Sequence, residues 1–101
     1  MDFIVEENRI FSKDGSGKTT AEVLFPHRSP GAVTITRTFV DDSLRGQGIA
    51  GKLMELTCEK LRRDGKKAYP VCSYAVKWFG AHPECGDVLV DGPDSEGGAD
   101  E

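Results

Sequence analysis

Three glycines within six residues, Gly46, Gly48 and Gly51, follow an extended run and open an amphipathic one. A strand-to-helix turn of that composition lets backbone N–H groups converge on an anion. Glycine leaves the amides uncovered, and a helix N-terminus adds the positive end of its dipole. Arg45 places a guanidinium, a good phosphate partner, beside them. Arg45-Gly46-Gln47-Gly48-Ile49-Ala50-Gly51 is therefore a candidate site for a phosphate compound. On spacing alone, glycines that only serve a tight turn remain the alternative. The second residue that could do chemistry is Cys72, which stands between a short strand and a candidate helix starting near Ser73. Thiolate is the reactive form of cysteine, and a helix N-terminus favours it. Taken by itself, Cys72 is better explained as a small buried side chain.

Other constellations fail on context. Gly46-Gln47-Gly48-Ile49-Ala50-Gly51 comes close to a dinucleotide fingerprint. That fingerprint needs a larger parallel sheet and an acid about twenty residues on, and residues 66–69 hold none. Gly15-Ser16-Gly17-Lys18-Thr19-Thr20 imitates a nucleotide-binding P-loop, but Ser12 stands where the first glycine belongs. A strand, not a helix, is expected to follow it. Cys72, His82 and Cys85 fit no standard zinc spacing and lack a fourth ligand, so no metal is expected.

The elements that must position these residues follow from periodicity. Residues 4–11 and 19–25 are extended runs around Lys13-Asp14-Gly15-Ser16-Gly17, which predicts a hairpin. Pro26 and Ser29-Pro30-Gly31 break the chain. Residues 33–40 are rich in β-branched side chains and predict a third strand, with Val33, Ile35, Arg37 and Phe39 on one face. Residues 49–63 predict a helix whose apolar arc holds Ile49, Ala50, Leu53, Met54, Leu56, Thr57 and Leu61. Cys58 lies at the edge of that arc, and Gly65 is the stop. A strand over 66–71, a helix from Tyr74 to about Gly80 capped by Ser73, and a short strand at 88–90 complete the order. The expected class is α+β: a mixed sheet with antiparallel N-terminal strands, followed by a β-α-β-α unit with parallel strands.

At 101 residues, with 38% hydrophobic and 30% charged side chains, the chain predicts one soluble domain over residues 1–90. Residues 91–101 read as an acidic, disordered tail. A net charge of −4 argues against a nucleic-acid partner and is compatible with a cationic amine substrate. No run is long enough for a membrane span, and the N-terminus lacks a signal-like pattern. An intracellular, cytoplasmic monomer with three free cysteines is expected.

Arg45-Gly46-Gln47-Gly48-Ile49-Ala50 also matches the (R/Q)-x-x-G-x-(G/A) signature of the GCN5-related N-acetyltransferases. Over roughly residues 8–90 the chain resembles a subgroup of very small acetyltransferase domains. Those share a Pro-x-Cys-x-Tyr element, here Pro70-Val71-Cys72-Ser73-Tyr74, and later aromatic and His-Pro-Glu steps, here Trp78-Phe79 and His82-Pro83-Glu84. The resemblance implies a minimal acetyltransferase fold and acetyl-CoA as co-substrate. It puts the coenzyme pyrophosphate on Arg45, Gly46, Gln47, Gly48, Ile49, Ala50 and Gly51. It pairs the pantetheine amides with a strand that splays at Thr38, Phe39 and Val40. It places Cys72 near the acetyl thioester. One departure stands out: Arg37-Thr38 replaces the His-Thr pair common in the subgroup. The small size implies an acceptor site that is open or is built with a partner protein.

Two mechanisms follow. Cys72 takes the acetyl group and passes it to an amine, or the amine attacks acetyl-CoA directly. A base must remove the amine proton, and His82 and Glu84 are the candidates. The expected function is an acetyl-CoA-dependent N-acetyltransferase with an unidentified amine acceptor. The rival is a module that binds acyl-CoA or a protein without turnover.

Overall fold

The β-branched run at residues 32–40 does two structural jobs. In the computed structural model, which describes residues 2–90, it forms two strands in two sheets. β1 (Ile4–Glu6), β2 (Arg9–Lys13) and β3 (Thr19–Leu24) precede it, with a short β4 (His27–Ser29). The run itself is β5 (Ala32–Ile35) and β6 (Arg37–Val40). A 3₁₀ turn (Asp42–Leu44), α1 (Ile49–Asp64), β7 (Lys67–Pro70), α2 (Ser73–Ala81) and a second 3₁₀ turn (Pro83–Val88) follow. One sheet runs β1-β2-β3-β6 and is antiparallel throughout. The other runs β4-β5-β7, with β5 and β7 parallel. The α+β class expected from the sequence holds.

The break between β5 and β6 creates the site. β5 pairs with β7 as far as Ile35↔Pro70. The Thr36 N–H then donates to the Leu24 carbonyl (3.0 Å), and β6 continues along β3. An unbroken strand would put Val33, Ile35, Arg37 and Phe39 on one face. Instead Val33 and Ile35 are buried, Arg37 is exposed, and Val40 packs on the core. The phase of the alternation slips at Thr36, which a sheet change permits and a single strand does not. Beyond Ile35, β6 and the chain leaving β7 diverge.

α1 closes one side of this layer. Its Leu53, Met54, Thr57, Cys58 and Leu61 are buried against Ile10, Ala21, Val23, Phe25, Val33 and Ile35. Leu56, placed in the apolar arc, is only partly buried, while Cys58 is fully inside. Each fully buried aliphatic side chain here contributes about 1.5–3 kcal/mol. The Thr57 hydroxyl donates to the Leu53 carbonyl (2.8 Å), so the one polar side chain in that stripe is satisfied.

Four local expectations differ from the structure. The first run is itself a hairpin, because Glu7-Asn8 turns the chain between β1 and β2. Asn8 fastens that turn by donating from Nδ2 to the Phe25 carbonyl (2.9 Å). β4 lies where Pro26 and Pro30 signalled only breaks; it is a three-residue exposed edge that carries little pattern. Cys72, not Ser73, caps α2, since its sulfur accepts the Ala75 N–H. The strand expected at residues 88–90 reduces to one bridge, Leu89 to Ala68, because a 3₁₀ turn started by Pro83 consumes Val88. The acidic tail, residues 91–101, lies outside the described residues. Among those described, no helix is long and apolar enough to cross a membrane.

Candidate active site

A cavity of about 300 Å³ opens where the two sheets part. Thr38 and Val40 of β6 form one wall, and the loop residues Leu44, Arg45, Gly46 and Gly48 form the floor. Ile49, Ala50 and Gly51 of α1 and Tyr74 of α2 complete it. Of the residues expected to hold coenzyme, Phe39 and Gln47 do not line it. Phe39 follows the strand alternation onto the opposite face, where the Arg37 guanidinium stands 5.3 Å from its ring. Arg37, at the departure from the subgroup's His-Thr pair, is turned that way too, with Nε 3.5 Å from Glu22 Oε1.

The loop is built for backbone contact. Gly46 and Gly48 have φ of 84° and 75°, a region that costs an L-residue about 1–2 kcal/mol. Gly48 is the N-cap of α1 and brings no side-chain cap. The first helical amide satisfied within the helix is that of Lys52, which donates to the Gly48 carbonyl (3.0 Å). The amides before it have no acceptor from the helix ladder. The 3₁₀ turn ahead is held by Asp41, whose Oδ2 accepts from the Ser43 hydroxyl (2.7 Å) and N–H (3.1 Å). Those bonds hold the Asp41 carboxyl below its usual range. Arg45 is 73% exposed and pairs with Asp42 at 3.1 Å, so its guanidinium is free to turn toward a stronger anion.

Cys72 sits just behind the wall. Its backbone is fixed by two bonds to one acceptor, as the N–H groups of Val71 and Cys72 both donate to the Ile35 carbonyl (3.0 and 3.1 Å). Its sulfur accepts the Ala75 N–H (3.4 Å) and donates to Oγ1 of Thr38 (3.4 Å), a lining residue. Tyr74 reaches the cavity two residues later. Burial, and then the neighbouring Cys72, push its phenol above the ordinary value, which keeps it a proton donor. A Cβ on Gly51 would stand 3.6 Å from Trp78 Nε1 and 3.8 Å from the Tyr74 hydroxyl. Gly51 thus admits the close approach of α2.

The structure does not bring His82 to this place. His82 follows the last residue of α2, a nine-residue helix that separates it from Cys72 by about 15 Å of rise. Its ring stacks on Trp78 (centroids 3.9 Å, 14° between planes), and Nδ1 lies 2.8 Å from the Trp78 carbonyl. Glu84 is exposed in the following 3₁₀ turn, and neither residue lines the cavity. Cys85 is buried. Among the described residues no three His, Cys, Asp or Glu side chains are grouped to hold a metal. Gly17-Lys18 falls in the β2–β3 hairpin, closed by the Gly17 N–H donating to the Asp14 carbonyl (3.0 Å). Tyr74 and Leu44 are the lining residues that sequence reasoning had not marked as ligand contacts. Tyr74 was legible as a member of Pro-x-Cys-x-Tyr; Leu44 carried no signal.

A family model described as GCN5-related N-acetyl-transferase matches residues 9–88. The chain belongs to the GCN5-related N-acetyltransferase family. Among solved structures, this acetyltransferase domain is similar to a GCN5-like putative N-acetyltransferase from Staphylococcus aureus, with 26% identity and a TM-score of 0.74. That match covers 88% of this chain and 87% of the other. A putative acetyltransferase from Agrobacterium tumefaciens shares the fold at 24% identity and a TM-score of 0.58, over 79% of this chain and 57% of its own. So does the GNAT family N-acetyltransferase YhbS from Escherichia coli, solved in complex with CoA, at 20% identity and a TM-score of 0.58. The match covers 74% of this chain but only 48% of that one. No curated protein matches the sequence.

Proposed function

We propose that this domain transfers acetyl from acetyl-CoA to an amine through Cys72. The observation that carries the reading is the continuity of the cavity. It runs from the uncapped N-terminus of α1 to the parting of the sheets, with Cys72 behind its far wall. The residues present fit the coenzyme: glycine amides and Arg45 suit a pyrophosphate. The exposed edge of β6, from Thr38 to Val40, offers backbone groups to the amides of pantetheine. The family and the CoA complex of the E. coli neighbour agree with this donor.

When bound, acetyl-CoA supplies the thioester. The Cys72 sulfur attacks the acetyl carbon and the original C–S bond breaks. The Cys72 proton passes to solvent, and the departing thiolate takes one from the Tyr74 hydroxyl, which solvent replenishes. An amine then attacks the Cys72 thioester, and the sulfur leaves as thiolate and takes the amine's proton. The thiol is regenerated, and no group from the far end of α2 is required. That last point accounts for the positions of His82 and Glu84, which suit neither to the role of base. The same positions are equally consistent with the rival reading, a module that binds acyl-CoA without turnover.

One experiment separates the two. Thermal unfolding is followed with CoA and with acetyl-CoA, and free thiol release is then measured against a panel of amines. Stabilisation with thiol release supports transfer. Stabilisation without release from any amine supports the binding module, and no stabilisation removes both.

A further inference from the structure

We infer that Thr38 is a positioning residue for Cys72, its hydroxyl being the partner that holds the thiol in place and supports the thiolate when it forms. The inference rests on the reading of Cys72 as nucleophile. Three observations carry it. Thr38 Oγ1 is 3.4 Å from the Cys72 sulfur across 34 residues of sequence, just beyond the point where the run through β5 and β6 leaves β7 for β3. The sulfur's other polar contact is the Ala75 N–H (3.4 Å), which as a backbone donor serves thiol and thiolate alike. The Cys72 backbone is pinned to the Ile35 carbonyl, one residue before the parting, which fixes where the side chain starts.

The chemistry follows from what a hydroxyl can do. Toward the neutral thiol, Oγ1 accepts the S–H. Once the proton has left, the same hydroxyl rotates about its C–O bond and donates to the sulfur. The thiolate is then held by two donors, Thr38 O–H and Ala75 N–H. A hydrogen bond to a charged partner is stronger than one between neutral groups. A methyl in the same place would keep the packing and lose that support. The phase slip at Thr36 is what turns Thr38, rather than Arg37, toward the sulfur.

The test uses the free protein, without acyl donor. Carbamidomethylation of each cysteine by iodoacetamide is followed by mass spectrometry between pH 6 and 10. Cys58 and Cys85, 1% and 9% exposed, serve as internal references. Thr38→Val is expected to slow Cys72 at pH 7 by about tenfold, as one lost charge-assisted bond requires. The deficit should shrink as pH rises toward 10. Thr38→Ser should restore the rate at pH 7. A merely structural role would change the rate at every pH and would not be rescued by serine. Should Thr38→Val not fold, Thr38→Ala removes the same hydroxyl. Equal Cys72 rates in wild type and the hydroxyl-free variant at pH 7 overturn the inference. The nucleophile reading fails separately, by turnover persisting in Cys72→Ala.

Discussion

The glycine loop and the Cys72 corner border one cavity, yet they are constructed in opposite ways. The loop is contiguous: residues 45–51 supply amides, conformation and charge from a single stretch of chain. The corner is assembled from three places: Ile35 fixes the backbone, Thr38 and Ala75 hold the sulfur, and Tyr74 faces the cavity. Backbone amides at a turn tolerate changes in distant packing. A sulfur held by side chains from separate elements depends on the parting of two sheets. Substitutions should therefore divide by region, binding from the loop and turnover from the corner.

The largest effect tests that division directly. Cys72→Ala should cut acetyl transfer at least about a hundredfold while stabilisation by CoA persists. Stopped-flow thiol release and thermal shift read the two halves, and unchanged turnover would sink the acyl-enzyme route. Next comes Gly48→Val. A Cβ at Gly48 meets nothing within 4 Å, so the penalty is conformational, about 1–2 kcal/mol, with a methyl pair facing the ligand besides. We expect CoA affinity to fall about tenfold by calorimetry; intact affinity would mean that the ligand does not rest on those amides. Arg45→Ala should weaken CoA by about threefold to tenfold, with a difference that shrinks as salt rises. A salt-independent loss would count against phosphate as its partner.

The smallest effect contrasts the corner's cysteine with the one in α1. Burial, and next its hydrogen bond with Cys85, push the Cys58 thiol up from about 9 to about 12. Folded protein keeps that proton where unfolded chain loses it. The contribution is therefore complete below pH 9 and falls away as pH rises toward 12. Urea unfolding at pH 8 and pH 11 should show a smaller pH-dependent loss in Cys58→Ala than in wild type. Equal losses would refute the assignment. In wild type the same shift keeps Cys58 a thiol in the range where Cys72 is modified.

The two regions were also unequally legible. The loop could be read from glycine spacing because the function of an amide needs no partner distant in sequence. The helix behind it was read nearly to its ends, since the 3.6-residue period depends on local geometry. β4 was invisible because three exposed residues beside two prolines carry no alternation. The run at residues 32–40 misled because β propensity reports an extended backbone and not the sheet it joins. Its neighbourhood in sequence suggests His82 as base, but the length of α2 separates it from the cavity.

By itself, the sequence determined the α+β class, the glycine-rich turn with its helix, and the kinship carried by Arg45–Ala50 and Pro70–Tyr74. Those are short-range properties: spacing, propensity and uncovered backbone. Only the tertiary structure decided that the β-branched run divides at Thr36. That division places Thr38 against Cys72 with Tyr74 at the cavity, and the length of α2 leaves His82 outside it. The physical reason is that the choice of partner for a strand edge is made by burial across the whole core. Ile35 stays with β7 while the Thr36 N–H is taken by Leu24 of β3, and no local pattern in the chain records that competition.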